Sequence, residues 1–210
     1  MKLNDLFGGS SGVPADQFPD PGIDIPPDPT ETPQSVVLGG GCFWCTEAVF
    51  VKLDGVITVV SGYAGGSADT ADYQSVCSGT TDHAEVIRVR FDSSRITLGQ
   101  ILKVFFAVAH DPTHLNRQGN DMGRQYRSAV FCAGEDQRRA AEAYIAQLSE
   151  AKVFEAPIVT TLEPLEQFFE AEDYHQRFVA RNPSQPYVAA IAMPKVKKLE
   201  KNFAGRLKKT

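Results

Sequence analysis

Residues 36–47 read VVLGGGCFWCTE, and this stretch decides the fold because it joins the signals of a strand, a turn and a helix. The apolar run Val36 to Leu38 is typical of a buried strand, and the three glycines that follow it predict a tight turn. From Phe43 to Leu53 the apolar residues recur at helical spacing. Cys42 therefore lies at the predicted helix start, where unpaired N–H groups and the helix dipole favour a thiolate, the nucleophilic form of cysteine.

A second cysteine three residues further on makes a C-x-x-C pair. On a helix Cys42 and Cys45 share one face, so their sulfurs are close enough for a redox-active dithiol. Two buried apolar cysteines are the structural alternative. A zinc site is a third, but it needs a second C-x-x-C or a Cys/His pair. The spacing of Cys77, His83 and Cys132 does not supply one, so no bound metal is expected.

Composition narrows the class of protein. The chain has 210 residues, a formal net charge of -5 and four cysteines, which predicts one α/β domain and argues against a nucleic-acid binder. Four cysteines are too few for a disulfide scaffold, so we expect a reducing compartment. No apolar run is long enough for a signal peptide or a membrane span, and a soluble, cytoplasmic protein without a membrane partner is the prediction.

The order of elements predicts a two-layer α/β sandwich of a mixed sheet with helices packed on it. Residues 1–34 form a proline-rich arm, extended or disordered, that either is a passive tail or lies along the domain. The folded domain spans 35–194, and a lysine-rich, solvated tail spans 195–210. Within the domain we predict strands at 56–60 (buried), 84–91, 126–133 and 158–162, helices at 98–110, 135–148 and 168–179, a flexible bend at 61–66, and a long ordered loop at 111–124.

Four polar residues are candidates for chemistry beside the thiol. Glu85 shares the apolar face of its strand, and burial there raises a carboxyl pKa, as a general acid near pH 7 requires. A glutamate in solvent at the strand end is the alternative. Tyr73 and Tyr126 are phenols that can donate to a bound oxygen, or are tyrosines at the core edge. Asp121 orients such a hydroxyl or closes a turn.

The aromatic residues beside the nucleophile have two readings. Phe43 and Trp44 either wall an apolar slot or pack into the core. A glycine-rich phosphate loop with its lysine is missing from the sequence, so no nucleotide cofactor is expected.

Five segments, in this order and spacing, resemble one family, the A-type peptide methionine sulfoxide reductases, across roughly Ser35 to Arg181. They are GCFWCTEAVF, SGYAGG, YQSVCSGTTDHAEVIRVRFD, HDPTHLNRQGNDMGRQYRSAVF and EDYHQRF. The resemblance implies an α/β fold with a two-layer core of ferredoxin-like plait type. It also implies reduction of the S epimer of methionine sulfoxide, free or in oxidised proteins.

The resemblance also implies a role for each candidate. Cys42 is the nucleophile that attacks the sulfoxide sulfur, and Glu85 protonates the oxygen. Tyr73 and Tyr126 hydrogen-bond that oxygen, and Asp121 supports the site. The remaining two, Phe43 and Trp44, form the pocket for the methyl group of the substrate.

The resolving step departs from the family pattern. Many members use cysteines in a glycine-rich C-terminal tail, whereas this chain has no cysteine after Cys132. Cys45 is therefore the expected resolving residue, which condenses with the Cys42 sulfenic acid to give a disulfide. Cys77 is the rival resolver, although we interpret Cys77 and Cys132 as buried structural thiols. The family implies thioredoxin as the external reductant, no bound cofactor and a monomer.

Two other functions stay open. One is a general thioredoxin-like dithiol–disulfide oxidoreductase, against which the sequence offers no obvious cis-proline opposite the pair. The other is a small metal-binding module without enzymatic activity.

Overall fold

The computed structural model describes residues 12–27 and 33–209. Eight strands lie in this part of the chain: β1 (Gln34–Gly40), β2 (Val56–Ala64), β3 (Ala84–Phe91), β4 (Arg117–Gln118), β5 (Asp121–Met122), β6 (Ser128–Cys132), β7 (Thr161–Pro164) and β8 (Phe168–Glu170). The α-helices are α1 (Phe43–Phe50), α2 (Tyr73–Cys77), α3 (Leu98–Val104), α4 (Glu135–Glu150), α5 (Phe178–Arg181) and α6 (Met193–Asn202). Two π-helical turns, Phe105–Ala109 and Val188–Ala192, continue α3 and lead into α6.

Six strands form one mixed sheet in the order β7-β6-β1-β3-β2-β8. Only β6 and β7 run parallel; the other neighbours are antiparallel. With helices packed on this sheet, the predicted mixed α/β class is confirmed. The short strands β4 and β5 pair separately, inside the loop predicted at 111–124.

The two faces of the sheet pack into two separate apolar clusters of different size. On β3, Ile87 and Val89 belong to the large core that the main helices cover, together with side chains of α1, α3 and α4. Val86 points to the opposite face and joins a smaller cluster with Val37 and Phe131. This alternation is that of a strand buried on both faces, and it carries Glu85 on the helix-covered side with Ile87.

Strand β2 corrects two predictions. It continues through Ala64, so the bend predicted at 61–66 is confined to Gly65 and Gly66, because residues 61–64 pair with β3 on one side and residues 62–64 with β8 on the other. Gly62 permits this, since a Cβ there would meet the Phe168 ring at 2.4 Å. The start of the strand is not fully buried either: Ile57 is half exposed.

The predicted helix at 168–179 is also wrong. Phe168–Glu170 is the edge strand β8, which is followed by a 3₁₀ turn at Asp173–His175 and the four-residue helix α5. Arg177 interrupts any continuous helix because its φ of 55° is left-handed. Periodicity did not detect these breaks, since the run contains neither glycine nor proline.

Both ends of the described chain pack on the domain. From the arm, Phe18 is buried edge-on against Phe154 with ring centroids 5.6 Å apart, and Asp24 accepts the Gly99 N–H of α3 at 2.8 Å. The tail predicted from Lys195 is not a solvated end, because α6 buries Lys195 and Leu199 against the domain. Residues 1–11, 28–32 and 210 lie outside the described residues. None of the described helices has the length and apolar character needed to cross a membrane.

Candidate active site

The β1–α1 junction places Cys42 as predicted. Gly41 turns the chain with a φ of 82°, and a Cβ at this position would lie 2.5 Å from Gln118 Cβ. Cys42 is the residue that precedes the first helical turn, and its carbonyl accepts the Cys45 N–H at 3.1 Å. The predicted strand, turn and helix are therefore confirmed, and the glycine before the cysteine is required by both backbone and space.

Glu85 reaches the same helix end from the neighbouring strand β3. Its Oε2 accepts the N–H of Phe43 at 3.0 Å, and only 3% of the residue is exposed. Burial, the dominant cause, raises the pKa of Glu85 to about 8, against the lowering effect of the Phe43 hydrogen bond. The expected buried carboxyl with a raised pKa is confirmed, and it is mostly protonated at pH 7.

The thiolate expected on Cys42 is not found. Burial, followed by the neighbouring Cys45 and Glu85, raises the pKa of the Cys42 thiol well above its usual range. The Phe43 N–H, which would otherwise face an anionic sulfur at this helix end, is occupied by Glu85. The helix start alone therefore does not ionise Cys42.

Cys45 carries the more acidic thiol of the pair. It is fully buried one turn along α1, and neither sulfur is in a disulfide. A hydrogen bond from Cys42 is the main cause that lowers the pKa of Cys45 to about 7, and the positive charge of Lys195 also contributes. The two sulfurs thus share a proton, and the anionic form is favoured on Cys45.

Two tyrosines and a third cysteine adjoin the pair. Tyr73 begins α2, Tyr126 lies in a 3₁₀ turn before β6, and both are half-buried. Burial raises the pKa of each phenol, so both keep their O–H at neutral pH. Cys77 lies beside both phenols and is only half-buried, so its interpretation as a buried structural thiol is wrong. Cys132, by contrast, is buried as predicted.

Asp121 meets the cysteine pair through a residue that the sequence did not reveal. Tyr187 donates its hydroxyl to Asp121 Oδ2 at 2.7 Å, and the Tyr187 hydroxyl oxygen accepts a hydrogen bond from Cys45 Sγ at 3.8 Å. Ala192, further along the same segment, packs on Cys42 and Cys45. In the sequence Tyr187 follows a proline in a polar stretch, with no spacing that connects it to the cysteines.

The aromatic neighbours of Cys42 differ in exposure. Trp44 is half-buried, stacks on Phe178 with ring centroids 3.7 Å apart, and donates its Nε1–H to His175 Nδ1 at 3.0 Å. Phe43 is buried between His175 and Tyr63, with centroid distances of 5.0 and 5.8 Å. Trp44 can therefore face a ligand directly, whereas Phe43 packs in the core behind it.

His175 is a second site residue that the sequence did not reveal. It fell within the helix predicted at 168–179, whereas the structure has it in a 3₁₀ turn. Its ring is buried, and the ring centroid lies 4.4 Å from that of Tyr73 and 5.6 Å from that of Trp44. Since Nδ1 accepts the indole N–H, a neutral His175 carries its proton on Nε2. The ring thus fixes the tryptophan and packs on the tyrosine at once.

Neither a metal site nor the open groove beside α5 and α6 coincides with this cluster. Within residues 12–27 and 33–209, no three His, Cys, Asp or Glu side chains are placed to hold a metal ion. An open groove of about 1050 Å³ lies on the other side of α1, between β2, α5 and α6, and none of the predicted site residues lines it.

The chain is similar to one family over nearly its whole length. The family model described as "Peptide methionine sulfoxide reductase" matches residues 34–207. The Synechocystis sp. protein "Peptide methionine sulfoxide reductase MsrA 2" is 46% identical over 193 residues, which cover 91% of this chain and 90% of that protein. "Peptide methionine sulfoxide reductase MsrA" of Trichodesmium erythraeum is 52% identical over 173 residues, covering 82% of this chain and 97% of the relative.

Solved structures agree with the sequence relatives. The reduced form of Mxr1 from Saccharomyces cerevisiae superposes with a TM-score of 0.65 at 32% identity, covering 78% of this chain and 94% of that one. Methionine sulfoxide reductase A of Corynebacterium diphtheriae gives a TM-score of 0.61 at 30% identity, covering 88% of this chain and 92% of that one.

Proposed function

Given that the chain belongs to the peptide methionine sulfoxide reductase family, we propose that it reduces the S epimer of methionine sulfoxide, free or in oxidised proteins, with Cys42 as the nucleophile. The observation that carries the proposal is the pairing of Cys42 with the buried, protonated Glu85 at one helix end. A thiol beside a neutral carboxylic acid suits a reaction in which sulfur is attacked while oxygen is protonated.

The first step transfers oxygen to the enzyme. The sulfur of Cys42 forms a bond to the sulfoxide sulfur while Glu85 protonates the sulfoxide oxygen. The oxygen then moves to the Cys42 sulfur: its bond to the substrate sulfur and the new sulfur–sulfur bond both break, and a sulfur–oxygen bond forms on Cys42. Methionine leaves, and Cys42 becomes a sulfenic acid. The Cys42 proton returns to Glu85, so the step is balanced without an external proton.

Three phenols and an aspartate surround the expected position of that oxygen. The half-buried Tyr73 and Tyr126 keep their O–H groups, which supports their role as donors to the oxygen. Asp121 supports the site through its hydrogen bond from Tyr187.

The methyl group of the substrate has its own pocket. Trp44, which His175 fixes through a hydrogen bond, is the side chain that contacts this methyl group, and Phe43 packs behind Trp44.

The second step regenerates a reducible enzyme. Cys45 attacks the Cys42 sulfenic acid, the two sulfurs form a disulfide, and water leaves. The position of Cys45 one turn from Cys42 and its pKa of about 7 support this assignment over Cys77. An external dithiol protein, thioredoxin, then reduces the disulfide, and no bound cofactor takes part.

The finer features of the fold and of the protein's setting belong to the same proposal. The ferredoxin-like plait is supported by the strand order β6-β1-β3-β2, with α1 and α3 as the connecting helices. The boundaries at residues 34 and 194, the monomeric state and the cytoplasmic location stay predictions.

A single-turnover experiment tests the proposal. The wild-type protein, without thioredoxin, should release about one methionine per chain from the S sulfoxide and none from the R sulfoxide. Cys42→Ser should release none, because the acceptor of the oxygen is gone. Full activity of Cys42→Ser would overturn the mechanism.

Disulfide mapping after that turnover identifies the resolving residue. Cys45→Ser should still release its one methionine but retain a sulfenic acid that a dimedone probe labels on Cys42. A Cys42–Cys77 disulfide in the wild-type protein would overturn the assignment of Cys45.

The alternative, a general dithiol–disulfide oxidoreductase, has one observation in its favour, the lowered pKa of Cys45. Cys42 is only 8% exposed and Cys45 is fully buried, which is unfavourable for attack on a protein disulfide. Reduction of insulin disulfides without any sulfoxide activity would favour this alternative.

A further inference from the structure

Lys195 is a buried ammonium group that the proposed reaction leaves without a task. Only 2% of the residue is exposed, and its Nζ donates to the carbonyl of Ala109 at 2.8 Å. The ion pairs among residues 12–27 and 33–209 do not include it. A buried charge is costly when no opposite charge accompanies it, so an anion near Lys195 would stabilise the fold.

The helical stretch that carries Lys195 lies against the cysteine pair. Ala192 is fully buried and packs on Cys42 and Cys45. Lys195 follows Ala192 by three residues in a continuous run of helix, so both side chains project from the same side. The Lys195 ammonium is therefore buried near α1, although α6 lies close to the C-terminal end of the chain and α1 close to the N-terminal end.

The groups that act on Cys45 come from five elements, and Lys195 is the cation among them. Lys195 acts on Cys45, which has no contact with solvent. Asp111 and Lys198 are the other charged side chains that act in this neighbourhood. On the other side of Lys195, His110 stays neutral because burial lowers its pKa to about 3. The set around Cys45 is Cys42 from α1, Glu85 from β3, Asp121 from β5, Tyr187 from the segment before α6, and Lys195 from α6.

We propose that Lys195 is a positioning residue for the second half of the reaction, whose buried ammonium holds Cys45 as a thiolate ready to attack the Cys42 sulfenic acid. This role rests on the proposed function, and it deepens it by explaining how a fully buried cysteine becomes the attacking group.

The step balances with the groups present. The electron pair of the Cys45 thiolate forms the sulfur–sulfur bond while the sulfur–oxygen bond of Cys42 breaks. The oxygen leaves with the proton of Glu85 as water, and Glu85 is reprotonated from solvent. Cys45 is oxidised and the sulfenic sulfur is reduced, so no further oxidant is needed.

A direct titration measures the ionisation of Cys45. In a Cys42→Ser background, thiolate absorbance near 240 nm is followed against pH, with the Cys42→Ser/Cys45→Ser variant subtracted as the blank. Adding Lys195→Met should move the Cys45 midpoint to higher pH, because the nearby positive charge is lost. Lys197→Met is the matched control, since Lys197 is exposed on the same helix, and it should leave the midpoint in place.

A rapid-quench experiment measures the consequence for the reaction. After one turnover with methionine S-sulfoxide, disulfide formation in Lys195→Met should be roughly fivefold to tenfold slower than in wild type at pH 7, and equal to it above about pH 10. Methionine release in the same quenched samples reports the first step separately. A wild-type protein that releases no methionine overturns the proposed function, whereas normal release with an unshifted disulfide pH profile overturns the role of Lys195.

The design also separates electrostatics from packing. Methionine has nearly the length of lysine, and replacement of a buried charge by an apolar side chain is often tolerated. If Lys195→Met does not fold, the comparison of Lys195→Arg with Lys195→Gln replaces it: the arginine variant should keep the wild-type midpoint, and the glutamine variant should not. A loss of rate that is the same at every pH would assign Lys195 a purely structural role and overturn the proposal.

Discussion

Two regions of the molecule meet at the cysteine pair, and they come from opposite ends of the chain. Residues 34–50 form one contiguous strand, turn and helix, which carry both sulfurs and are buried almost throughout. Residues 182–202 come from the other end of the chain and bring Tyr187 and Lys195. The first region holds both sulfurs and the main cause that lowers the pKa of Cys45, the hydrogen bond from Cys42. The second region adds the positive charge of Lys195 and the Tyr187 hydroxyl.

The two regions also differ in how firmly they are held. The first is central in the sheet, with β1 paired on both sides. The second begins with exposed residues, among them Pro183 and Pro186, and is continuously helical only from Pro186 onward. Segments with few buried contacts open at lower free energy. Substitutions in the first region should therefore abolish chemistry or folding, and those in the second should change rates and pH profiles.

The largest effect is expected from Glu85→Gln in the first region. Loss of the general acid should slow methionine release in a single turnover by about 10²- to 10³-fold. The Cys42 thiol should remain open to alkylation, because only the acid has been removed. In the wild-type protein the same rate should fall as pH rises through about 8, where Glu85 loses its proton, and this falling limb should be absent in Glu85→Gln.

Unfolding provides the control for that variant. A glutamate in the unfolded chain ionises near its ordinary pKa of 4.5, whereas folded Glu85 keeps its proton up to about pH 8. The folded state therefore binds more protons between these values, so the contribution of Glu85 to stability falls as pH rises across this window. Glu85→Gln should show a flatter dependence of the unfolding free energy on pH. An unchanged slope would mean that Glu85 is not the buried acid.

Gly41→Ala should have the next largest effect, on stability. The left-handed φ of 82° and the contact with Gln118 Cβ at 2.5 Å both oppose a Cβ, and together they should cost about 2–3 kcal/mol of unfolding free energy. Gly134→Ala is the matched control, because Gly134 has extended backbone and no atom within 4 Å of a new Cβ. Chemical denaturation of both variants measures the difference, and equal stability of the two would contradict the strained turn.

The smallest effect is expected from Tyr187→Phe in the second region. The variant keeps the ring but loses the hydroxyl between Asp121 and Cys45. Loss of one hydrogen bond should slow disulfide formation by roughly fivefold, about 1 kcal/mol, and should affect it more than methionine release. Tyr174→Phe, on an exposed tyrosine, is the control. A larger loss in methionine release than in disulfide formation would place Tyr187 in the first step instead.

Sequence patterns succeeded where the signal was local. The strand before Cys42, the strand 84–91 and the helix that begins at Leu98 are all present. Sequence patterns failed where pairing with a distant strand decides the structure. Residues 61–64 are strand because they pair with β3 and β8, and residues 168–170 are strand because they pair with β2. Pairing partners distant in sequence leave no periodic trace in a short segment.

The sequence by itself placed Cys42 at a helix start, because a strand, a glycine turn and a helix start fit within a dozen consecutive residues. Local segments also indicated the buried Glu85 and the family. Only the tertiary structure decided which thiol is the more acidic. Burial and Glu85 raise the pKa of Cys42, while the hydrogen bond from Cys42 and the charge of Lys195 lower that of Cys45. Ionisation depends on solvent exclusion and on charges brought together by folding, and residues 150 positions apart in the chain (Cys45 and Lys195) meet only in the folded protein.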